Sequence, residues 1–281
     1  MSRNTVKTFV LLAAFGGLLM GIGAIFGQVG LIIGLVLALA IVGGSYWFSD
    51  KLAVASAGAK PVTEQEAPRL YAIVGELATR DNVPMPRVYI SPAAQPNAFA
   101  TGRNPRHAVV AVTQGLLQVL DDDEIRGVLA HEMSHVKNRD ILIGSVAAAL
   151  AMVITFVARI AMWGAMFGGD DEGGNIVGLI LMAILAPLAA LLLQMALSRS
   201  REYEADRSGA HLIGTGEPLA RALEKIENAA KQVPMNVNPA QATAYIINPF
   251  TGRQVSFAKL FMTHPPTADR IARLRSDAAA R

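Results

Sequence analysis

Two histidines stand four residues apart in the stretch GVLAHEMSHVKNRD, with a glutamate directly after the first: His131, Glu132 and His135. Side chains four apart on a helix project from one face. His131 and His135 would therefore aim two imidazoles at one point, and imidazole nitrogen is a zinc ligand. Glu132, beside that face, could reach a water on the metal rather than the metal itself. Zinc lowers the pKa of a bound water to about 7. Glu132 would then accept a proton as the water attacks a carbonyl, and pass it to the leaving amine. The pattern arises by chance in about one chain of this length per hundred. The plain alternative is a pair of surface histidines on an amphipathic helix. Val128, Leu129 and Ala130, just before the motif, favour a buried helix instead.

A catalytic zinc usually takes three protein ligands and keeps one position open. The chain has no cysteine, which excludes thiolate ligands, disulfides and iron–sulfur clusters. The third donor must then be a carboxylate or another histidine. SRSREYEADRSGA offers Glu202 and Asp206, four apart on one helical face. Glu204 falls about 200° around the same helix, on the far side. The pair reads as a ligand, Glu202, and a supporting carboxylate, Asp206, that orients His131 or His135 through the far ring nitrogen. A solvated charged face is the competing reading of this run.

The elements that must bring these groups together lie in an unusually apolar chain. Of 281 residues, 52% are hydrophobic and 17% charged, against about 25% charged in typical soluble domains. The pI is near 9.3, but the net charge is only +3 and the basic residues are dispersed, which argues against nucleic-acid binding. No charge occurs from Thr8 to Ser49. A spanning helix needs roughly 20 apolar residues, so this run predicts a hairpin of two, about Thr8–Phe26 and Val29–Phe48. Gly27-Gln28-Val29-Gly30 would be the turn, with Tyr46 and Trp47 at the interface. A cleaved signal peptide has an apolar core of only about 7–15 residues, so the run reads as retained.

Periodicity predicts a helix over Pro68–Asp81 and strands at Val88–Ile90, Asn97–Gly102 and His107–Thr113, the last two joined by a turn at 103–106. The acidic run Asp121 to Glu124 suits the start of a helix, about Asp122 to Asn138, that carries the histidine motif. Two further apolar runs, Ile141 to Phe167 and Ile176 to Leu197, predict a second hairpin, interrupted only by Arg159, Pro187 and Gln194. Its loop holds Asp170, Asp171 and Glu172, while Arg3, Lys7, Lys137, Arg139, Arg199 and Arg201 flank the runs on the other side. The positive-inside rule then places both termini and the central polar stretch in the cytoplasm. The expected organisation is a membrane hairpin at 1–49, a first catalytic part at 50–140, a second hairpin at 141–197 and a second catalytic part at 198–281.

GVLAHEMSHVKNRD followed by SREYEAD resembles the signature of the HtpX-type membrane zinc metalloproteases, whose wider family includes the CAAX-prenyl protease Ste24. NAFATG and THPPTADRI are similar to two further motifs of that family. The resemblance implies a mainly α fold with a small β-sheet, a helical membrane zincin of the gluzincin-like HExxH type. It implies one Zn2+ per chain held by His131, His135 and Glu202, with Glu132 as general base. It also implies that Asn97, Ala98, Phe99, Ala100 and Thr101 form an edge strand that binds the substrate backbone. His264 would stabilise the oxyanion and Arg270 would support the site. On the residues alone, His264-Pro265-Pro266 reads equally as a stop before a helix capped by Thr267 or Asp269. The implied function is endopeptidase turnover of damaged or misfolded membrane proteins under stress, in the bacterial cytoplasmic membrane. Two rivals use the same ligands: a membrane metal-binding or transport protein, and an inactive scaffold. Transport calls for ionisable groups within the spans, where only Arg159 and Gln194 interrupt the apolar runs, and intact Glu132 argues against the scaffold. His107 and His211 receive no role.

Overall fold

The computed structural model describes residues 3–25, 27–138, 140–144, 146, 147, 150, 154, 199–232 and 265–279. Two apolar helices open the chain, α1 (Arg3–Ile25) and α2 (Gly27–Ser56). The reversal between them falls at Gly27, whose φ of +77° belongs to the left-handed region that glycine enters freely. Gln28, Val29 and Gly30, expected in the turn, are already helical. The helix α2 is long and apolar enough to cross a membrane, with a mean hydropathy of 2.3 over an 18-residue window. Much of its surface is bare hydrocarbon: Val29, Ile32, Ile33, Val36 and Leu39 are all exposed. On α1, Leu11, Leu12 and Phe15 pack against Leu142, Val146, Ala147, Leu150 and Ile154.

A four-stranded mixed sheet follows, built from β1 (Lys60–Pro61), β2 (Arg87–Ser91), β3 (Ala98–Thr101) and β4 (Val109–Thr113) in the order β1-β2-β4-β3. The pair β2/β4 is parallel, and β3 runs antiparallel to β4 with Ala98 opposite Val112 and Ala100 opposite Val110. Among the described residues β3 is therefore an edge strand. The strand expected from His107 starts two residues later. Asn104 Oδ1 accepts from the His107 N–H at 3.2 Å, and Pro105 opens a 3-10 turn over Pro105–His107. Gly102 makes that turn possible, because a Cβ there would lie 2.4 Å from the His107 carbonyl oxygen.

Helices α3 (Pro68–Arg80), α4 (Gln114–Val119), α5 (Asp122–Lys137), α6 (Arg199–Ile213), α7 (Glu217–Gln232) and α8 (Thr267–Ala279) complete the described fold. Leu70, Ile73, Val74 and Leu77, the expected apolar stripe of α3, all enter the core. They meet Val88, Val110 and Val112 of the sheet, Ile125, Leu129, Met133 and Val136 of α5, and Leu219, Leu223 and Ile226 of α7. A capping box starts α5: Asp121 Oδ1 accepts from the Glu124 N–H at 2.9 Å, and Glu124 Oε2 accepts from the Asp121 N–H at 3.0 Å. The architecture is mainly α with one small sheet, and α5 lies at its centre.

Candidate metal centre

Helix α5 presents His131, Glu132 and His135, and α6 crosses it bearing Glu202 and Asp206. The crossing is close because position 209 has no side chain. A Cβ on Gly209 would sit 2.9 Å from the His131 backbone nitrogen and 3.0 Å from the Ala130 carbonyl carbon. Gly127 plays the same part on the other side of α5, where a Cβ would lie 2.6 Å from the Leu219 backbone nitrogen on α7.

At the crossing, His131 Nε2 lies 3.8 Å from Glu202 Oε2, and His135 Nε2 lies 3.7 Å from Glu202 Oε1. One donor atom from each of the three residues falls within 4.8 Å of the others. The imidazoles stand nearly perpendicular, with centroids 4.9 Å apart. For a tetrahedral ion with bonds of about 2.0–2.1 Å, neighbouring donors are roughly 3.4 Å apart, so the gaps are close to what such an ion needs. His131 and Glu202 are buried, at 1% and 2% exposure. The donor set is two nitrogens and a carboxylate, with both Nε2 atoms turned to the gap, and it fits a divalent metal.

The far side of each ring is held by a carboxylate. His131 Nδ1 lies 2.9 Å from Asp206 Oδ1. Arg270, from α8, grips the same carboxylate bidentately: Nη2 donates to Oδ1 at 2.7 Å and Nε donates to Oδ2 at 2.9 Å. Burial favours the neutral form of Asp206, but Arg270 and His131 outweigh it and hold the carboxyl well below the usual range. His135 Nδ1 lies 3.4 Å from Asp140 Oδ2. Burial lowers the pKa of His135, yet the Asp140 hydrogen bond and the charges of Glu202 and Glu132 prevail and raise it from 6.5 to about 9. Arg201 is buried beside this group; desolvation disfavours its charge, and Asp140 and Glu202 counter that. Glu204, expected on the opposite face of α6, is exposed.

The sheet edge closes the site from the other side. Ala100 N–H donates to Glu132 Oε2 at 2.9 Å. Thr113 N–H donates to the Asn97 carbonyl, so Asn97, Phe99 and Thr101 turn their main-chain groups toward β4. Ala98 and Ala100 turn theirs to the open edge, by the alternation of an antiparallel ladder.

His131, Glu132, His135, Glu202, Asp206, Arg270 and the strand Ala98–Thr101 thus converge, with Asn97 immediately before that strand. His264, Arg159, Pro187 and Gln194 lie outside the described residues. His107, in its 3-10 turn, and His211, on α6, are exposed and away from the group. Three features of the site carry no local sequence signal: Asp140 behind His135, Arg201 beside Glu202, and the Ala100 amide on Glu132. Asp140 is five residues past His135, off the one-face spacing of a helix, so periodicity does not flag it. Only the end of α5 at Lys137, with Asn138 as its C-cap, allows the chain to bring it back.

A family model described as Peptidase family M48 matches residues 64–278. The "Protease HtpX homolog" of Syntrophobacter fumaroxidans is 55% identical over 278 residues, covering 96% of this chain and 98% of that one. The "Protease HtpX homolog" of Pyrococcus furiosus is 54% identical over 275 residues, covering 96% and 94%. Among solved structures, the crystal structure of S. mikatae Ste24p is similar with a TM-score of 0.49 and 19% identity, covering 96% of this chain and 65% of that longer one.

Proposed function

The chain belongs to peptidase family M48 and is a metallopeptidase, and from the site geometry we propose that it is a zinc-dependent endopeptidase whose proton carrier is Glu132. His131, His135 and Glu202 would hold one Zn2+. When bound, the ion supplies Lewis acidity, which polarises a carbonyl and lowers the pKa of water to about 7. Glu132 Oε2 is anchored by the Ala100 amide, and Oε1 takes the proton from the attacking water and delivers it to the leaving amide nitrogen. Asp206 fixes the His131 ring, and Arg270 keeps Asp206 ionised. An extended substrate would add to the open edge of β3, bonding the main chain of Ala98 and the carbonyl of Ala100, whose N–H stays on Glu132. Recognition through main-chain groups tolerates varied sequences, as turnover of damaged proteins requires. His264 would stabilise the oxyanion.

The observation that carries this reading is the meeting of both Nε2 atoms with Glu202, a residue from a separate helix, next to a carboxylate tied to an edge strand. Glu132→Gln tests it. Zinc content should stay at one per chain, while cleavage of a casein-like substrate falls by about two to four orders of magnitude. Undiminished cleavage by the variant would end the reading.

The chain is a membrane metalloprotease, and we place it with hairpins 1–49 and 141–197 in the bacterial cytoplasmic membrane and parts 50–140 and 198–281 on the cytoplasmic face. Support comes from the exposed apolar surface of α2 and from the acidic loop at 170–172 between basic flanks. Membrane proteins, presented beside the bilayer, are then the natural substrates.

A further inference from the structure

We propose that Asp140 is a positioning residue of the metal centre, holding the His135 ring through Nδ1 so that Nε2 faces the other donors. The inference rests on His131, His135 and Glu202 being the ligands. His131 shows what such support looks like: a buried carboxylate from α6 on Nδ1, itself clamped by Arg270. His135 also has a carboxylate at Nδ1, from a different source and, among the described residues, without an arginine clamp. Asp140 is 9% exposed, its Oδ2 lies 3.4 Å from Nδ1, and it comes from the residues just after α5 rather than from another helix.

Asn138 caps α5 at φ −74° and ψ −2°, and helical backbone resumes at Asp140. The Asp140 carboxylate lies 3.4 Å from Nδ1 of His135, on the last turn of α5. Two residues on, Leu142 is packed against Leu11, Leu12 and Phe15 of α1, which anchors the segment carrying Asp140. Arg201 is buried, and its Nη1 and Nη2 have no hydrogen-bond partner among the described residues. It therefore acts on Asp140 and Glu202 as a charge rather than as a fixed clamp. This is looser than Arg270 on Asp206, and the Asp140 contact is correspondingly the longer one. The carboxylate fixes which ring nitrogen carries hydrogen, leaving the Nε2 lone pair for the metal.

The test is zinc affinity of the full-length, detergent-solubilised protein, stripped of metal and titrated against a competing chelator, alongside the melting temperature of the metal-free form. Asp140→Ala should raise the zinc Kd by about 10–100-fold, less than Asp206→Ala, with the apo melting transition retained. Asp140→Asn keeps an acceptor oxygen without the charge and should fall between wild type and Ala. Wild-type affinity in Asp140→Ala, or an Asn variant as weak as Ala, overturns the proposal. Should the Ala variant not fold, Asn alone decides: weaker binding than wild type supports the role, equal binding refutes it. Absence of zinc binding by the wild type would instead refute the ligand assignment on which the proposal stands.

Discussion

Arg270 is almost fully buried, and its guanidinium is matched by one carboxylate, Asp206, in a two-point clamp. Breaking such a pair costs far more than the pair contributes, because the remaining charge stays desolvated. Arg270→Ala should therefore destabilise the fold by about 3–5 kcal/mol, read as a lowered chemical-denaturation midpoint of the metal-free protein. Arg270→Lys restores the charge but not the planar fork, and only part of the loss should return. His135 makes a second prediction at this scale. Its folded pKa is raised from 6.5 to about 9 in the metal-free protein. A raised value means that the protonated ring stabilises the fold. That stabilisation is fully present below about 6.5 and is lost as pH rises through about 9. The melting temperature of the stripped protein should fall across this window, while zinc affinity rises across it because the metal must displace the proton. A stripped protein whose melting temperature rises from pH 6.5 to 9 would contradict the arrangement around His135.

Between elements, the decisive contact is a backbone one. At Gly209, α6 approaches α5 so closely that a methyl group would strike the main chain of Ala130 and His131, which has no side-chain end to swing away. Gly209→Ala should separate the helices by a few tenths of an ångström or more, costing about 1–3 kcal/mol and weakening zinc binding because Glu202 rides on α6. Gly144→Ala is the control: among the described residues nothing lies within 4 Å of a Cβ there, so zinc affinity should not change. Equal behaviour of the two variants would show that the crossing does not position Glu202. The helices most legible in the sequence were those whose signals are local. Pro68 and the Leu70–Leu77 stripe marked α3, and the acidic run before the histidine motif marked α5 through the helix dipole. Strand β1 has only two residues, both exposed, and carries no period to read. Helix α4 is a single short stretch begun by the Thr113 hydroxyl, which accepts from the Leu116 N–H at 3.1 Å, a cap visible only when the strand before it is known to end there. Helix α7 carries a local signal too, the apolar period of Leu219, Leu223 and Ile226 that enters the core.

At the scale of the whole molecule, a catalytic layer sits against apolar helices. Arg87 pairs with Asp50 near the end of α2, and the Arg103 guanidinium lies 4.7 Å from the centroid of the Trp47 ring. These contacts join the sheet to the second helix at the level of Trp47, an interfacial residue type. The absence of native cysteine makes the orientation directly testable. In intact cells, a membrane-impermeant thiol reagent should label Glu172→Cys and spare Lys60→Cys. In inverted vesicles the pattern should reverse. Labelling of Lys60→Cys in intact cells would overturn the cytoplasmic placement of the catalytic layer. The sequence by itself determined the chemistry on offer: two imidazoles and a glutamate at helical spacing, a paired Glu202 and Asp206, no thiols, and apolar runs long enough for a bilayer. Those are properties of residue type and of separations within one turn of one helix, which the chain's local geometry dictates. Tertiary structure alone decided which ring Asp206 serves, that Asp140 serves the other, that Arg270 clamps Asp206, and that the amide of Ala100 meets Glu132. Each of those pairings joins different elements, or crosses a helix end, and depends on how closely two backbones approach. A glycine at 209 permits that approach, but only the packed helices reveal what it brings together.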